Sequence, residues 1–246
     1  MKQINKLDWD SDFFEKRIGS VSLDNEMQFD PIGFINEAEH NFDLVYVFSY
    51  QKMLSLETVL TANLDLVDIM ITMSMPFDKN LHKQKKYDFK NGLTQEEIIE
   101  CYKIAEQTAV VSRFYIEEVI GPEKTKLLYR KWIDNGFNKL FSDGLFLVEE
   151  LNSIIGIHLI KVDEENNVGY FTLTGVNPDY KRLGIGRKLW DQAFGFFSNE
   201  TDIMIIKSPF SFRNTESFNF HLKMGFNKVE EIKYIYHFRN KKNDTL

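Results

Sequence analysis

Gly175-Val176-Asn177-Pro178-Asp179-Tyr180-Lys181-Arg182-Leu183-Gly184-Ile185-Gly186-Arg187 is the stretch whose reading decides this chain. Before it, Val168 to Val176 is a β-forming run; after it, Lys188 to Phe197 has helical composition. A strand, a glycine-bearing turn and a helix in that order create a helix start whose first amides have no helical acceptor. Gly184 and Gly186 permit tight backbone geometry and close approach of a ligand. The amides of Arg182 to Arg187 then point outward, and free amides with the helix dipole bind phosphate. Lys181, Arg182, Arg187 and Lys188 gather positive charge here, although the formal net charge of the chain is −7. A pyrophosphate is the expected guest. A plain turn with a glycine hinge would explain the glycines, but not the strand, the helix and the cations together.

Three strands lead into this loop. Gly144 to Glu149, Ser153 to Val162 and Val168 to Val176 are joined by turns at Leu151-Asn152 and Glu164 to Asn167, which spells an antiparallel meander. Beyond the loop, Asp202 to Lys207 is a buried strand, and Asn214 to Met224 is a helix ended by Gly225. Lys233 to Phe238 alternates as a final strand, expected at a sheet edge, which makes a homodimer plausible. Nearer the N-terminus, Leu44 to Phe48 and Leu64 to Met73 read as strands, with helical composition from Leu54 to Asn63 between them. Lys79 to Lys90 is polar and reads as a loop or linker. Thr94 and Glu97 have the spacing of a capping box, and Pro122-Glu123 opens a further helix carrying Leu127, Leu128 and Trp132 on one side.

Composition narrows the classes. The chain has 246 residues with 43% hydrophobic and 27% charged, an ordinary globular balance with 22 Phe for core packing. Its acidity argues against a nucleic-acid partner. Cys101 is the single cysteine, so no intrachain disulfide forms, which suits a reducing compartment. No apolar run approaches the roughly 20 residues of a membrane span, and nothing near Met1 reads as a signal peptide. A cytoplasmic protein is expected, without a membrane partner. His40, His82, His158, His221 and His237 show no metal spacing, so no metal is expected.

The Lys181 to Arg187 loop resembles the acyl-CoA loop of the GNAT superfamily, in which Arg or Gln stands three residues before Gly-x-Gly; here that residue is Lys181. Asn214 and Phe220-His221-Leu222-Lys223-Met224-Gly225-Phe226 resemble the closing motif of the same superfamily. The resemblance implies an α/β GNAT fold: a mixed, mostly antiparallel central sheet flanked by helices, with a smaller N-terminal α/β region. It divides the chain into 1–105, contributing to the acceptor site, and 106–246, the acyl-CoA-binding catalytic domain. A narrower resemblance covers both ends and the middle. Leu7-Asp8-Trp9-Asp10-Ser11-Asp12-Phe13-Phe14, Ser112-Arg113-Phe114 and Leu128-Tyr129-Arg130-Lys131-Trp132-Ile133 resemble segments of bacterial dTDP-fucosamine-type N-acetyltransferases. It implies a dTDP-linked amino-dideoxyhexose as acceptor and acetyl-CoA, or a longer donor such as 3-hydroxybutyryl-CoA, as cosubstrate.

By resemblance, Thr174, Gly175, Val176, Lys181, Arg182, Leu183, Gly184, Ile185, Gly186, Arg187 and Asn214 hold the acyl-CoA, and the amide near Val176 meets the oxyanion. Asn214 is equally an N-cap. His221 stands where the family commonly has a Tyr that protonates the leaving thiolate. It either keeps that role or only packs and contacts CoA, and a leaving group that needs no acid is a third reading. For the acceptor, Arg113 pairs with the nucleotide diphosphate or makes a structural salt bridge. Trp9, Phe13, Phe14 and Phe114 stack on thymine or the sugar, or pack the core. Ser208 and Phe210 lie where GNAT acceptors bind. Two rivals stand beside this reading: a GNAT enzyme acting on a protein or polyamine amine, and a non-catalytic CoA-binding module.

Overall fold

The computed structural model describes residues 3–88, 92–138 and 142–240. In chain order these form β1 (Asn5–Lys6), α1 (Asp8–Phe14), β2 (Ile18–Leu23), α2 (Pro31–Asn41), β3 (Leu44–Tyr50), α3 (Leu56–Thr61), β4 (Asp65–Pro76), α4 (Gln95–Ala109), α5 (Gly121–Phe137), β5 (Gly144–Glu150), β6 (Ser153–Asp163), β7 (Val168–Val176), α6 (Ile185–Glu200), β8 (Ile205–Ser211), α7 (Thr215–Lys223) and β9 (Lys228–Arg239). The strands make one sheet in the order β1-β2-β3-β9-β4-β8-β7-β6-β5. β2 runs parallel to β3 and β7 parallel to β8, while the other neighbours are antiparallel.

Local chemistry explains the element ends. Thr94 caps α4 through its hydroxyl to the Glu97 amide while Glu97 returns to the Thr94 amide, the expected capping box. Asp30 caps α2, whose first residue is Pro31, so its missing donor falls where a helix leaves donors unpaired anyway. The β5–β6 turn takes positive φ at both Leu151 and Asn152, matching the twist of a tight hairpin. Of the basic stretch 79–90, Lys79–Leu81 is a short 3-10 turn, and residues 89 and 90 lie outside the described residues.

Side-chain parity along the strands sorts the layers. On β9, Ile232 packs with Phe171, Trp190 and Phe226, whereas Tyr234, Tyr236 and Phe238 pack with Phe34 and Val47. All four are even-numbered, so α6 and α7 cover the same face as α2 and α3. The opposite face is covered by α4 and α5 over β5 to β7, and by α1 and residues 114–120 over β2 and β3. The first face holds the larger core, where Phe146, Phe171, Trp190, Phe197 and Phe226 are 2% exposed or less. Each such side chain stabilises the fold by roughly 2–3 kcal/mol on burial.

Two expectations change. β9 is not an edge strand; it lies between β3 and β4. Ile235, Tyr236, His237 and Phe238 are all buried, so both of its faces are covered, a feature that alternation alone does not distinguish. The homodimer expectation loses that support. The expected boundary at 105/106 falls inside α4, and β9 joins β3 to β4, so the two halves share one sheet.

Candidate active site

α6 begins at Ile185, three residues before the helical stretch expected from Lys188, with Gly184 as its N-cap at φ 81°. No atom lies within 4 Å of a Cβ built on Gly184, so the left-handed backbone, not crowding, asks for glycine there. Lys188 N–H donates to Gly184 O at 3.0 Å. The amides of Ile185, Gly186 and Arg187 therefore sit ahead of the first helical bond, at the positive end of a 16-residue helix. Gly186 has a packing reason beside the ligand approach expected of it. A Cβ on it would meet the Phe220 ring at 3.3 Å, so it lets α6 and α7 approach closely. Lys181 pairs with Glu216 at 3.1 Å, tying the loop to α7, while Arg182, Leu183 and Arg187 are exposed.

Beside this helix start the sheet opens. β7 and β8 pair only at Val168↔Ile205, Gly169↔Ile206 and Tyr170↔Lys207. From Phe171 and Ser208 onward they diverge, leaving a notch that points at the α6 N-terminus. Asn177 N–H donates to Ile155 O at 2.9 Å, toward β6. Amides alternate between the two edges of a strand, so those of Val176 and Thr174 face the notch. The Thr174 hydroxyl is occupied: it accepts the Trp190 indole N–H at 3.1 Å and lies 2.9 Å from His158 Nδ1. Only the Thr174 backbone is open to a ligand. Gly175 faces away, where a Cβ would strike Ile104 and Thr108 of α4 at 2.8 Å.

His221 is 3% exposed and turns into the core beneath the notch. Its Nδ1–H donates to Ser217 O at 2.7 Å, and its Nε2 accepts the Ser208 hydroxyl at 2.8 Å. The ring stacks on Phe210 at 4.2 Å and meets Trp190 and Phe226 edge-on. Burial pushes its pKa down to about 4, so it is neutral at pH 7 and Nε2 carries a lone pair rather than a proton. Ser208, the first β8 residue beyond the paired segment, stands between His221 and the notch. Asn214 caps α7 by accepting Ser217 N–H at 3.0 Å. His158 is also buried, and burial holds its pKa at about 3.

The expected acceptor residues separate onto opposite faces. Ser208 and Phe210 lie on the α6–α7 side. The three segments of the narrower resemblance converge on the other, where Phe14, Phe114 and Leu128 pack with Ile18, Leu44 and Tyr46. Phe14 and Phe114 are 3% and 8% exposed, so they belong to the core and offer no stacking face. Trp9, 51% exposed, stacks on Phe13 with ring centroids 4.9 Å apart and is the accessible aromatic. The Arg113 guanidinium lies 4.1 Å over Phe114 and 5.9 Å from the Tyr46 ring.

Cross-strand register arranges this second face in rows. Tyr46 pairs with His237; Phe48 with Ile235 and Asp68; Tyr50 with Lys233, Met70 and Ser211; Glu231 with Thr72 and Pro209. The last two rows are half-buried and run toward the strand that borders the notch. Asp68 accepts the Ser211 hydroxyl at 2.6 Å. Beneath them, Glu117 binds His237 Nδ1 and accepts Arg239 Nε and Nη2 at 2.8 and 2.9 Å. Sequence reasoning named neither this cluster nor Tyr46 and Asp68. The available signal was a polar residue inside an apolar strand: Tyr46 in LVYVF, Asp68 in LVDIM, His237 in YIYHF.

Among the described residues no group of three or more His, Cys, Asp or Glu is arranged to hold a metal, and no helix is long and apolar enough to cross a membrane. A cavity of about 710 Å³ is lined by Asp143, Lys161, Asp163, Glu164 and Glu165 and by Tyr170 and Thr172 of β7, where the pairing with β8 ends.

Comparison with known proteins agrees with this geometry. A protein of unknown function from Staphylococcus epidermidis aligns with a TM-score of 0.61 at 10% identity, over 91% of this chain and 84% of its own. A GCN5-related N-acetyltransferase from Sphaerobacter thermophilus gives 0.52 at 13% identity, over 80% and 60%. A GNAT acetyltransferase from Colwellia psychrerythraea gives 0.51 at 9%, over 87% and 72%. At these identities the likeness is one of fold. No curated protein matches by sequence. Residues 102–226 match the acetyltransferase (GNAT) family, a span that contains the meander, the notch, the α6 N-terminus and α7. The chain belongs to the GNAT acetyltransferase family, and it is an enzyme that transfers an acyl group from acyl-CoA to an amine.

Proposed function

We propose that the enzyme acylates the amino group of a dTDP-linked amino-dideoxyhexose for surface polysaccharide synthesis, with acetyl as the default acyl group and 3-hydroxybutyryl as the larger alternative. The observation that carries the acyl-transfer reading is the notch between β7 and β8, which opens beside the first-turn amides of α6. A CoA pyrophosphate matches the Ile185, Gly186 and Arg187 amides, and its pantetheine arm matches the open edge of β7. The thioester then lies deep in the notch, with amides of β7 as oxyanion donors. A neutral amine enters from the face carrying Met70 and Thr72 and attacks the thioester carbonyl. Collapse of the tetrahedral intermediate releases the thiolate, and the proton lost by the amine balances it.

His221 does not suit direct donation, because its Nε2 holds no proton and Ser208 shields it. We assign the hydrogen bond to the leaving sulfur to the Ser208 hydroxyl, which turns its single proton from His221 Nε2 to the sulfur to make it. The nucleotide acceptor rests on the resemblance of the α1, 112–114 and α5 segments, and the exposed Trp9–Phe13 stack supports it as a surface for a planar base.

The test is thiol release from acetyl-CoA and 3-hydroxybutyryl-CoA with dTDP-linked 3-amino and 4-amino dideoxyhexoses. Fast release with one donor–acceptor pair is expected. Release with simple amines or polyamines, but with neither nucleotide sugar, refutes the acceptor and leaves acyl transfer intact.

A further inference from the structure

His158 is fully buried, and the acyl-transfer steps assigned above make no use of it. It lies on β6 opposite Thr174, close to where the β6–β7 register slips. Pairing runs residue for residue from Gly156↔Val176 to Leu159↔Leu173 and resumes at Ile160↔Phe171, so Thr172 is an extra residue on β7. Such a bulge bends its strand and ends regular pairing. The β7–β8 pairing stops at Tyr170, two residues before Thr172, and the notch opens beyond. Parity records the bend. Phe171 and Thr174 both meet Trp190 of α6, where an unbroken strand would send them to opposite faces.

Side chains hold the bulge from both strands. The Thr172 hydroxyl donates to Leu159 O at 3.0 Å, and His158 Nδ1 lies 3.1 Å from Leu173 O. A carbonyl only accepts, so Nδ1 carries the proton. Burial pushes the His158 pKa down to about 3, so at pH 7 the ring is neutral and has that single N–H. The same Nδ1 is 2.9 Å from Thr174 Oγ1, which also accepts the Trp190 indole N–H at 3.1 Å. One connection therefore runs from α6 through Trp190, Thr174 and His158 to the β7 backbone. Phe171 meets the imidazole edge-on at 4.6 Å and fixes its plane. Nε2, in contrast, is buried with no hydrogen-bond partner. An open buried acceptor carries a cost that an apolar side chain of similar shape does not. The use of this residue lies in Nδ1, not in filling space.

We propose that His158 is a positioning residue for acyl transfer: its Nδ1–H clamps the β7 bulge to α6 through Thr174, and so sets where the Thr174 and Val176 amides stand relative to the first turn of α6. It touches no substrate. The inference rests on the acyl-transfer reading, in which those β7 amides meet the pantetheine arm and the oxyanion while the α6 amides hold the pyrophosphate. One CoA molecule has to satisfy both elements at once, so their spacing decides how well it is held. Trp190 lies on the second turn of α6, so the clamp grips the helix close to its phosphate-binding end.

Nitrogen-15 spectra of the imidazoles in the full chain, together with calorimetric and amide-resonance titrations with CoA, test this. Wild-type His158 shows the neutral Nδ1–H form at pH 7. His158→Leu keeps the bulk and loses the donor; CoA affinity falls on the order of 10-fold, and the CoA-induced shifts at Thr174 and Val176 shrink while that at Gly186 persists. His158→Asn returns an N–H near the Nδ1 position and recovers affinity to within about 3-fold of wild type, although its smaller side chain leaves a void and lowers Tm. A role in packing alone predicts the reverse order, with Leu the milder change. Thr174→Val, which keeps the shape and removes the hydroxyl link, weakens CoA binding about 5-fold and decides the matter where His158→Leu does not fold. A neutral Nε2–H form, or CoA affinity that follows Tm rather than the presence of the donor across the variants, overturns the proposal and leaves acyl transfer standing. A wild-type chain that binds no CoA refutes the acyl-transfer reading, and the positioning role with it.

Discussion

Replacing Glu117 by Gln tests the charge cluster that anchors residues 112–120 to β9. Glu117 is 1% exposed and accepts from Arg239 Nε and Nη2, from His237 Nδ1, and from the Val119 amide at 3.2 Å. Burial alone raises a carboxyl pKa, but the bonds from His237 and Arg239 overcome it and hold this one at about 2 against the usual 4.5. By linkage that difference is worth up to about 3 kcal/mol, which solvent screening at the partly exposed Arg239 reduces to about 2 kcal/mol. The folded-state pKa is depressed, so the stabilisation is complete above pH 4.5 and fades as pH falls toward 2. Glu117→Gln keeps the shape and one acceptor while removing the charge. Urea unfolding at pH 7 should show the variant less stable by about 2 kcal/mol, with the gap closing between pH 4.5 and 2. His237 adds acid lability in both proteins, because burial holds it neutral and its protonation on acidification is unfavourable. A gap below about 0.5 kcal/mol at pH 7, or one that persists unchanged at pH 2, refutes the reasoning.

Gly184→Ala forces a Cβ into a left-handed N-cap, which costs roughly 1–2 kcal/mol; CoA affinity measured by calorimetry should fall about 5- to 30-fold, with a smaller change in Tm. Gly186→Val drives a branched side chain into the Phe220 ring, so thermal unfolding should shift down by several degrees, and this loss should exceed that of Gly184→Ala. Ser208→Ala removes the hydroxyl at the notch and leaves His221 Nε2 buried without a donor; kcat should fall about 10-fold with little change in KM for acyl-CoA. Because His221 titrates near 4, the pH profile of kcat/KM should lack a bend near 6.5 that disappears in His221→Gln.

The catalytic half was legible because its signals are local. A strand, a glycine loop, four cations and a capped helix sit within one continuous stretch, and backbone chemistry dictates what each does. Thr94 with Glu97 and Asn214 before α7 were readable in the same way, since a cap is a bond between near neighbours in sequence. The position of β9 was not, because its partners Leu44–Tyr50 and Asp65–Ser74 lie roughly 150 to 200 residues away in the chain, and no local pattern encodes which strands a twelve-residue run will join. The early strand and helix at Ile18–Leu23 and Pro31–Asn41 went unread despite a clear Asp30-Pro31 start. Aromatic residues were the least decipherable. Trp9, Phe13, Phe14 and Phe114 share a composition signal, yet one is exposed, one half-buried and two buried, and only packing separates them. His221 stands where sequence comparison put a proton donor, but its tautomer follows from Ser217 and Ser208, contacts that sequence alone does not display.

The central claim is that CoA lies along the open edge of β7 with its pyrophosphate on the first turn of α6. Titrating the isotopically labelled chain with CoA and following backbone amide resonances tests it most directly. The account predicts saturable shifts concentrated at Ile185, Gly186, Arg187, Thr174 and Val176, with Gly175, whose amide faces β6, moving less. Saturable CoA binding whose shifts map elsewhere, leaving the α6 amides unmoved, would contradict it.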